Sequence, residues 1–226
     1  MANLIAIVGS SGSGKSTSIR TLKPEETFII NIASKPLPFK GWRSKYSIWN
    51  KDNPNGNFVN TSDVNTIAKI LSYIDSKRPE IKNVVLDDSQ YLMAFEAMDR
   101  ASEKGYSKFT EIAQKFYGIL KSGVNMRDDL NIIFSCHSEN IGDIDTPSWK
   151  IKTIGRMLDN TVTIEGLFTY VLFTEIRRDE NDKIGYFFQT HSDGTTTAKS
   201  PMGCFEEDYI PNDLQYVISK IEEFNA

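Results

Sequence analysis

Cysteine is scarce: Cys136 and Cys204 are the only two among 226 residues. Two thiols are too few for a disulfide scaffold or an all-cysteine zinc site, and such usage fits a reducing cytoplasm. Long apolar runs are missing as well. None approaches the ~18 residues that span a bilayer, which argues against a membrane helix. The opening segment Met-Ala-Asn-Leu-Ile-Ala-Ile-Val-Gly has neither the basic start nor the long apolar core of a signal peptide, so a cytoplasmic protein is expected. Positive charge is not in excess: 26 Lys and Arg against 30 Asp and Glu leave a net charge of −4. A uniformly basic coat for nucleic acid is thereby excluded, although a local basic patch is not. No internal repeat and no linker rich in Gly, Ser and Pro divides the chain. With 39% hydrophobic and 25% charged residues it reads as a single folded domain over residues 1–226, not as a disordered polypeptide.

What is present is ordered. Apolar runs of strand length lie at Leu4–Val8, Phe28–Ile32, Val84–Leu86, Ile132–Ser135, Phe168–Thr174 and Ile184–Gln189. They are rich in the β-branched and aromatic residues that buried strands use. Helical spacing appears in Val64, Ile67, Leu71 and Ile74, with Asp63 placed to cap them. It recurs in Phe109, Ile112, Ala113, Phe116 and Leu120, and again in Leu214, Val217, Ile218 and Ile221. Before residue 140 strands and helices alternate, which predicts an α/β fold with a mostly parallel central sheet and helices on both faces. After residue 165 two apolar runs flank the polar turn Arg177–Lys183, which predicts a C-terminal antiparallel hairpin extending that sheet.

The most specific signal is Gly9-Ser10-Ser11-Gly12-Ser13-Gly14-Lys15-Ser16, a full match to the Walker A pattern. It follows a predicted strand and opens a predicted helix. Its glycines permit backbone angles that side chains forbid, so that N–H groups converge on phosphate oxygens, helped by the positive end of the helix. Lys15 is expected to neutralise the β- and γ-phosphates, Ser16 to ligate Mg²⁺, and Thr17 to cap or pack near the α-phosphate.

Downstream, Val84-Val85-Leu86-Asp87-Asp88-Ser89 is a short apolar strand ending in two carboxylates, the form of a Walker B motif. Asp87 is the candidate for holding Mg²⁺ through water, and Asp88 for polarising an attacking water. Asn131-Ile-Ile-Phe-Ser135-Cys136-His137 is a further buried strand with a polar tip. Ligands gather beyond the carboxyl ends of parallel strands, so Ser135 and His137 are expected near the γ-phosphate, while Cys136 reads as a small core residue. Residues Ser138–Thr153 show no period and form an expected functional or mobile loop, carrying Trp149, Lys150 and Lys152, with Arg156 just beyond.

From Phe28 to Lys51 there is no acidic residue, and Lys35, Lys40, Arg43, Lys45 and Lys51 alternate with Phe39, Trp42, Tyr46 and Trp49. Cations for phosphates and aromatic faces for bases suit single-strand binding. The alternative is a surface segment whose aromatics pack on the sheet edge. The candidate DNA contacts are Lys40, Trp42, Arg43, Trp149, Lys150, Lys152 and Arg156.

Taken together, the Walker A loop, the Asp-Asp-Ser strand end, the Ser-Cys-His strand end and a C-terminal hairpin followed by Ala198-Lys199-Ser200 resemble the phage-encoded RecA-like P-loop ATPases, some of which act in single-strand annealing and recombination. The resemblance implies a RecA-like P-loop NTPase fold, ATP and Mg²⁺ as cofactors, ATP hydrolysis, and nucleotide-dependent homo-oligomerisation on single-stranded DNA in the host cytoplasm, with other phage replication or recombination proteins as further partners. It gives Lys15 and Ser16 the phosphate and Mg²⁺ roles, Asp87 that of the Walker B acid and His137 that of the sensor. Residues 138–153 become the DNA-binding loop, and Lys199 the cation presented to a neighbour's ATP. One departure is plain. The RecA-like core carries a catalytic glutamate at the end of its second strand, where this chain reads Ile32-Ala33-Ser34-Lys35. Either Asp88 takes over, or hydrolysis is slow and nucleotide acts as an assembly signal. A nucleoside or nucleotide kinase and a nucleotide-switched adaptor or loader are the competing expectations.

Overall fold

A computed structural model of the chain describes residues 1–143, 145–154 and 162–226. Strand β1 (Asn3–Gly9) is at the centre of the order, because every residue from Leu4 to Gly9 is buried. Leu4, Ala6 and Val8 point to one face of the sheet and Ile5 and Ile7 to the other, as the two-residue period of a strand requires. The remaining strands are β2 (Thr27–Asn31), β3 (Phe58–Asn60), β4 (Asn83–Asp87), β5 (Asn131–Asn140), β6 (Trp149–Ile151), β7 (Tyr170–Arg178), β8 (Ile184–Gln189) and β9 (Tyr209–Pro211). They pair in the order β3-β2-β4-β5-β1-β7-β8-β9, with β6 added to β5. The pairs from β3 through β7 are parallel, and β7–β8, β8–β9 and β5–β6 are antiparallel. The fold is thus α/β with a mostly parallel central sheet, and the expected hairpin does extend it.

One face is covered by α2 (Val64–Lys77), α3 (Tyr91–Asp99) and α4 (Ser107–Val124), whose apolar stripes meet Phe28, Val84, Ile132 and Phe134. A single helical turn, α1 (Trp42–Lys45), precedes β3. The other face is covered by the C-terminal helix α5 (Leu214–Asn225), through Leu214, Val217, Ile218 and Ile221 against Ile5, Ile7 and Leu172. Asp63 caps α2 by accepting from Thr66 N at 2.8 Å, and Asp213 caps α5 by accepting from Tyr216 N at 3.0 Å. Among the described residues no helix is long and apolar enough to cross a membrane.

Two expectations are corrected here. The segment after the glycine loop is not an α-helix but a six-residue 3₁₀ helix, Ser16–Thr21. Its hydroxyls bond backward at three-residue spacing, Ser18 Oγ to Lys15 O at 2.6 Å and Thr21 Oγ1 to Ser18 O at 2.9 Å. Such local bonds favour the tighter turn, and Pro24 closes the space for a longer one. An extended helix dipole therefore does not stand behind the loop. Residues 138–153 are likewise not one irregular loop: β5 continues through Asn140 and returns as β6, with Ser138 opposite Ile151 and Asn140 opposite Trp149.

Candidate functional site

The carboxyl ends of β1, β2, β4 and β5 lie side by side, with Gly9 opposite His137 and Asn31 opposite Asp87. This edge gathers the chemistry. The loop 9–16 turns on Gly12 at φ 79° and Gly14 at φ 98°, left-handed conformations that favour glycine. Gly9 is required for a different reason: a Cβ there would lie 1.8 Å from Thr174 Oγ1 of β7. Thr174 uses that close approach, its single hydroxyl proton shared between Ser13 Oγ at 2.6 Å and Val8 O at 3.1 Å. Ser13 in turn donates to Ser10 O at 2.7 Å. Ser10, Ser11 and Gly12 form the exposed rim, and Thr17 follows half-buried, its carbonyl accepting from Arg20.

Lys15 is buried, and its ammonium donates to Gly9 O at 2.9 Å and Ser10 O at 2.7 Å. Burial pulls its pKa below the ordinary lysine value, against the pull of Asp88 and Asp87 in the opposite direction. Ser16 Oγ donates to Asp87 Oδ1 at 2.8 Å, joining two segments 71 residues apart. Asp87 is buried. Desolvation and the Asp88 charge raise its pKa, while Ser16 and the adjacent Ser135 oppose the rise. Of the two acids it is therefore Asp87 that meets Ser16.

Asp88 faces another way. Its backbone is left-handed, φ 59°, which an aspartate tolerates better than a bulkier residue. Its Oδ2 pairs with Lys35 Nζ at 2.5 Å, and its Oδ1 lies 3.7 Å from His137 Nε2. Burial disfavours the Asp88 carboxylate, but His137 and Lys35 outweigh it and hold the group below the usual carboxylate range. His137 packs edge-on to Tyr91, and its backbone N–H donates to Gln90 Oε1 at 3.2 Å. Cys136 points into the core, where burial pushes its thiol up to about 12, so it is not a nucleophile at neutral pH.

The donor set fits a polyphosphate with a hard divalent cation. Ser16 and Asp87 offer oxygen ligands, the type Mg²⁺ prefers, leaving its other positions to water and phosphate. Among the described residues no group of three or more His, Cys, Asp or Glu could hold a metal, so a cation here would rely on phosphate oxygens. Two buried amide nitrogens flank the edge without a partner among the described residues: Gln90 Nε2 beside His137 and Asn212 Nδ2 beside Gly14.

Sequence reasoning missed Lys35 as a partner of Asp88, as well as Thr174 and Asn212. Only Lys35 carried a signal, the change from acid to base at the end of β2. Lys199 does not join the cluster. It is held at mid-sheet by paired backbone bonds to Val171, whose neighbour in β1 is Ala6, three residues short of Gly9. The aromatics of the basic stretch pack on the sheet: Trp42 lies 5.3 Å from Phe58, and Trp49 is 6.2 Å from Phe28 and 5.8 Å from Tyr73. Lys40 and Arg43 remain exposed on the rim of a shallow hollow formed by residues 37–43, with Arg43 over the Trp42 ring at 5.2 Å. In the β5–β6 hairpin Trp149 is half-buried, Lys150 pairs with Glu139 at 3.3 Å, and Lys152 is exposed. Arg156 lies outside the described residues. No known family model matches the chain, and no curated protein matches it either.

Proposed function

We propose that this chain is a Mg²⁺-dependent ATPase of the RecA-like P-loop type, working on single-stranded DNA in phage recombination, annealing or replication. The observation that carries the reading is the 2.8 Å contact between Ser16 and Asp87 beside the buried Lys15. Two motifs far apart in sequence meet where a metal-bound triphosphate needs a hydroxyl, a carboxylate and a cation. Mg²⁺ bound there would offset charge on the β- and γ-phosphates. Lys15 would exchange the Gly9 and Ser10 carbonyls for phosphate oxygens. Asp88, ionised beside His137, would accept a proton from the attacking water. The water oxygen bonds to the γ-phosphorus as the bond to the β–γ bridging oxygen breaks, and ADP leaves with that electron pair.

The DNA half of the reading is supported by Lys40 and Arg43 around the 37–43 hollow and by the resemblance, which also supplies the homo-oligomer, its other phage partners and a trans role for Lys199. The test is ATP hydrolysis with and without single-stranded DNA across a salt series, for the parent chain and Lys15→Ala. Stimulation that fades as salt rises, and loss of turnover in Lys15→Ala, are expected. Phosphate transfer to a nucleoside or nucleotide would instead make the chain a kinase. Tight ATP binding without turnover, together with a stable protein partner, would make it a nucleotide-switched adaptor or loader.

A further inference from the structure

Lys35 has a fixed base and a flexible, solvent-exposed stem. Buried Asn31 donates from Nδ2 to the Lys35 carbonyl at 2.7 Å and to Asn60 Oδ1 at 2.8 Å, and the preceding Ser34 takes a left-handed φ of 54°. These bonds pin the turn that leaves β2. The Lys35 side chain, by contrast, is 61% exposed, so its flexible four-carbon stem can swing the ammonium from a rigid anchor. That ammonium ends 2.5 Å from Asp88 Oδ2 and 5.7 Å from the centre of the Tyr91 ring. It is also near enough to Lys15 for the two charges to oppose one another.

We propose that Lys35 is a γ-phosphate contact of this site, leaving Asp88 for the terminal phosphate of a nucleoside triphosphate and staying on Asp88 with a diphosphate. The inference rests on the phosphate-loop reading above. A phosphate extending past Lys15 toward Asp88 and His137 meets the Asp88 carboxylate, and repulsion would exclude it unless a cation intervenes. Lys35 is the cation already there. Its ion pair with the buried Asp88 is open to solvent on the lysine side, whereas a terminal phosphate offers several charged acceptors at once. Asp88 does not lose all support in the exchange, because His137 remains on its other oxygen. The exchange frees Asp88 Oδ2 only when the third phosphate is present.

The experiment titrates the full chain with ADP and with a non-hydrolysable ATP analogue, each with Mg²⁺. Lys35→Met is expected to lose ~10-fold or more in affinity for the triphosphate analogue, the scale of one charge-assisted hydrogen bond, with ADP affinity unchanged. Retained ADP binding also shows that the variant is folded. Lys35→Arg is expected to keep the preference for triphosphate. A ratio of the two affinities in Lys35→Met equal to that of the parent chain overturns the proposal. Lys15→Ala tests the loop separately and should weaken both ligands. A parent chain that binds neither nucleotide sinks the phosphate-loop reading, and this inference with it.

Discussion

Thr174 Oγ1 occupies the space that any side chain at position 9 would need, 1.8 Å from the ideal Cβ site of Gly9. The hydroxyl is held there by Val8 and Ser13, so it cannot simply rotate away. Gly9→Ala is therefore expected to destabilise the chain by about 1–3 kcal/mol, as overpacking does. Thr174→Ala opens the same space, and the double variant should recover part of the loss. Thermal unfolding of the four proteins measures the coupling; strictly additive losses would contradict the close approach.

Asp88 and Lys35 together set a pH window for stability. The Asp88 carboxyl is lowered in the fold, so its contribution is present above the ordinary carboxylate pKa and is lost as pH falls through the folded value. Lys35 is raised, chiefly by its hydrogen bond to Asp88, so its contribution is present below the ordinary lysine pKa and is lost as pH rises through the folded value. Lys35→Met leaves Asp88 with burial and His137, and its pKa should rise. Urea titrations are expected to show the largest gap between parent and Lys35→Met between those limits, closing on both the acid and the alkaline side.

Stability and function should separate at Asp87. Its carboxylate is disfavoured by burial, so Asp87→Asn is expected to leave the melting temperature at pH 7 unchanged or raised, while Mg²⁺-dependent nucleotide binding falls. Ser16→Ala removes the partner of a buried charge and should cost about 1–3 kcal/mol. Melting curves and nucleotide titrations with and without Mg²⁺ check both arms. A lower melting temperature for Asp87→Asn would show that the carboxylate is needed for the fold.

The basic rim divides in the same way. Lys40→Ala and Arg43→Ala should weaken single-stranded DNA binding and reduce the slope of log affinity against log salt by ~0.7 for each phosphate no longer neutralised, with no change in melting temperature. Trp42→Ala should destabilise the chain by about 1–3 kcal/mol, because the ring is half-buried on Phe58. Fluorescence anisotropy across salt, alongside melting curves, distinguishes the groups. Equal slopes in parent and variants would remove this face as a DNA-binding surface.

The long strands are legible because unbroken runs such as Leu4–Val8 and Val84–Leu86 are buried on both faces and leave no polar alternation to misread. The strands β3, β6 and β9 are not, since three residues show no period and each owes its form to a neighbour's free edge. Helices α2, α4 and α5 announce themselves by apolar stripes and, for α2, by an aspartate cap. The 3₁₀ segment escapes a reading by motif because the glycine loop suggests an α-helix, while the hydroxyls of Ser18 and Thr21 decide the local geometry. Within the site, Lys15, Ser16, Asp87, Asp88 and His137 are legible as motif residues at strand tips, and the structure brings them together. Thr174 arrives from β7 and Asn212 from the turn between β9 and α5, and no local pattern marks them. The Lys35 partnership depends on the local Asn31 tether and on β2 lying beside β4, and the second of these is a long-range fact.

Lys15 gives two of its three N–H bonds to the carbonyls of Gly9 and Ser10. An anion that takes more than the one remaining N–H must therefore outcompete the peptide oxygens of the turn itself. A halide that took all three would displace two good acceptors and return one, a poor exchange. A multiply charged guest returns several oxygens and reaches Ser16 as well. The lysine thus imposes a threshold that sorts guests by valence before shape is read, and ordinary cellular chloride would stay below it.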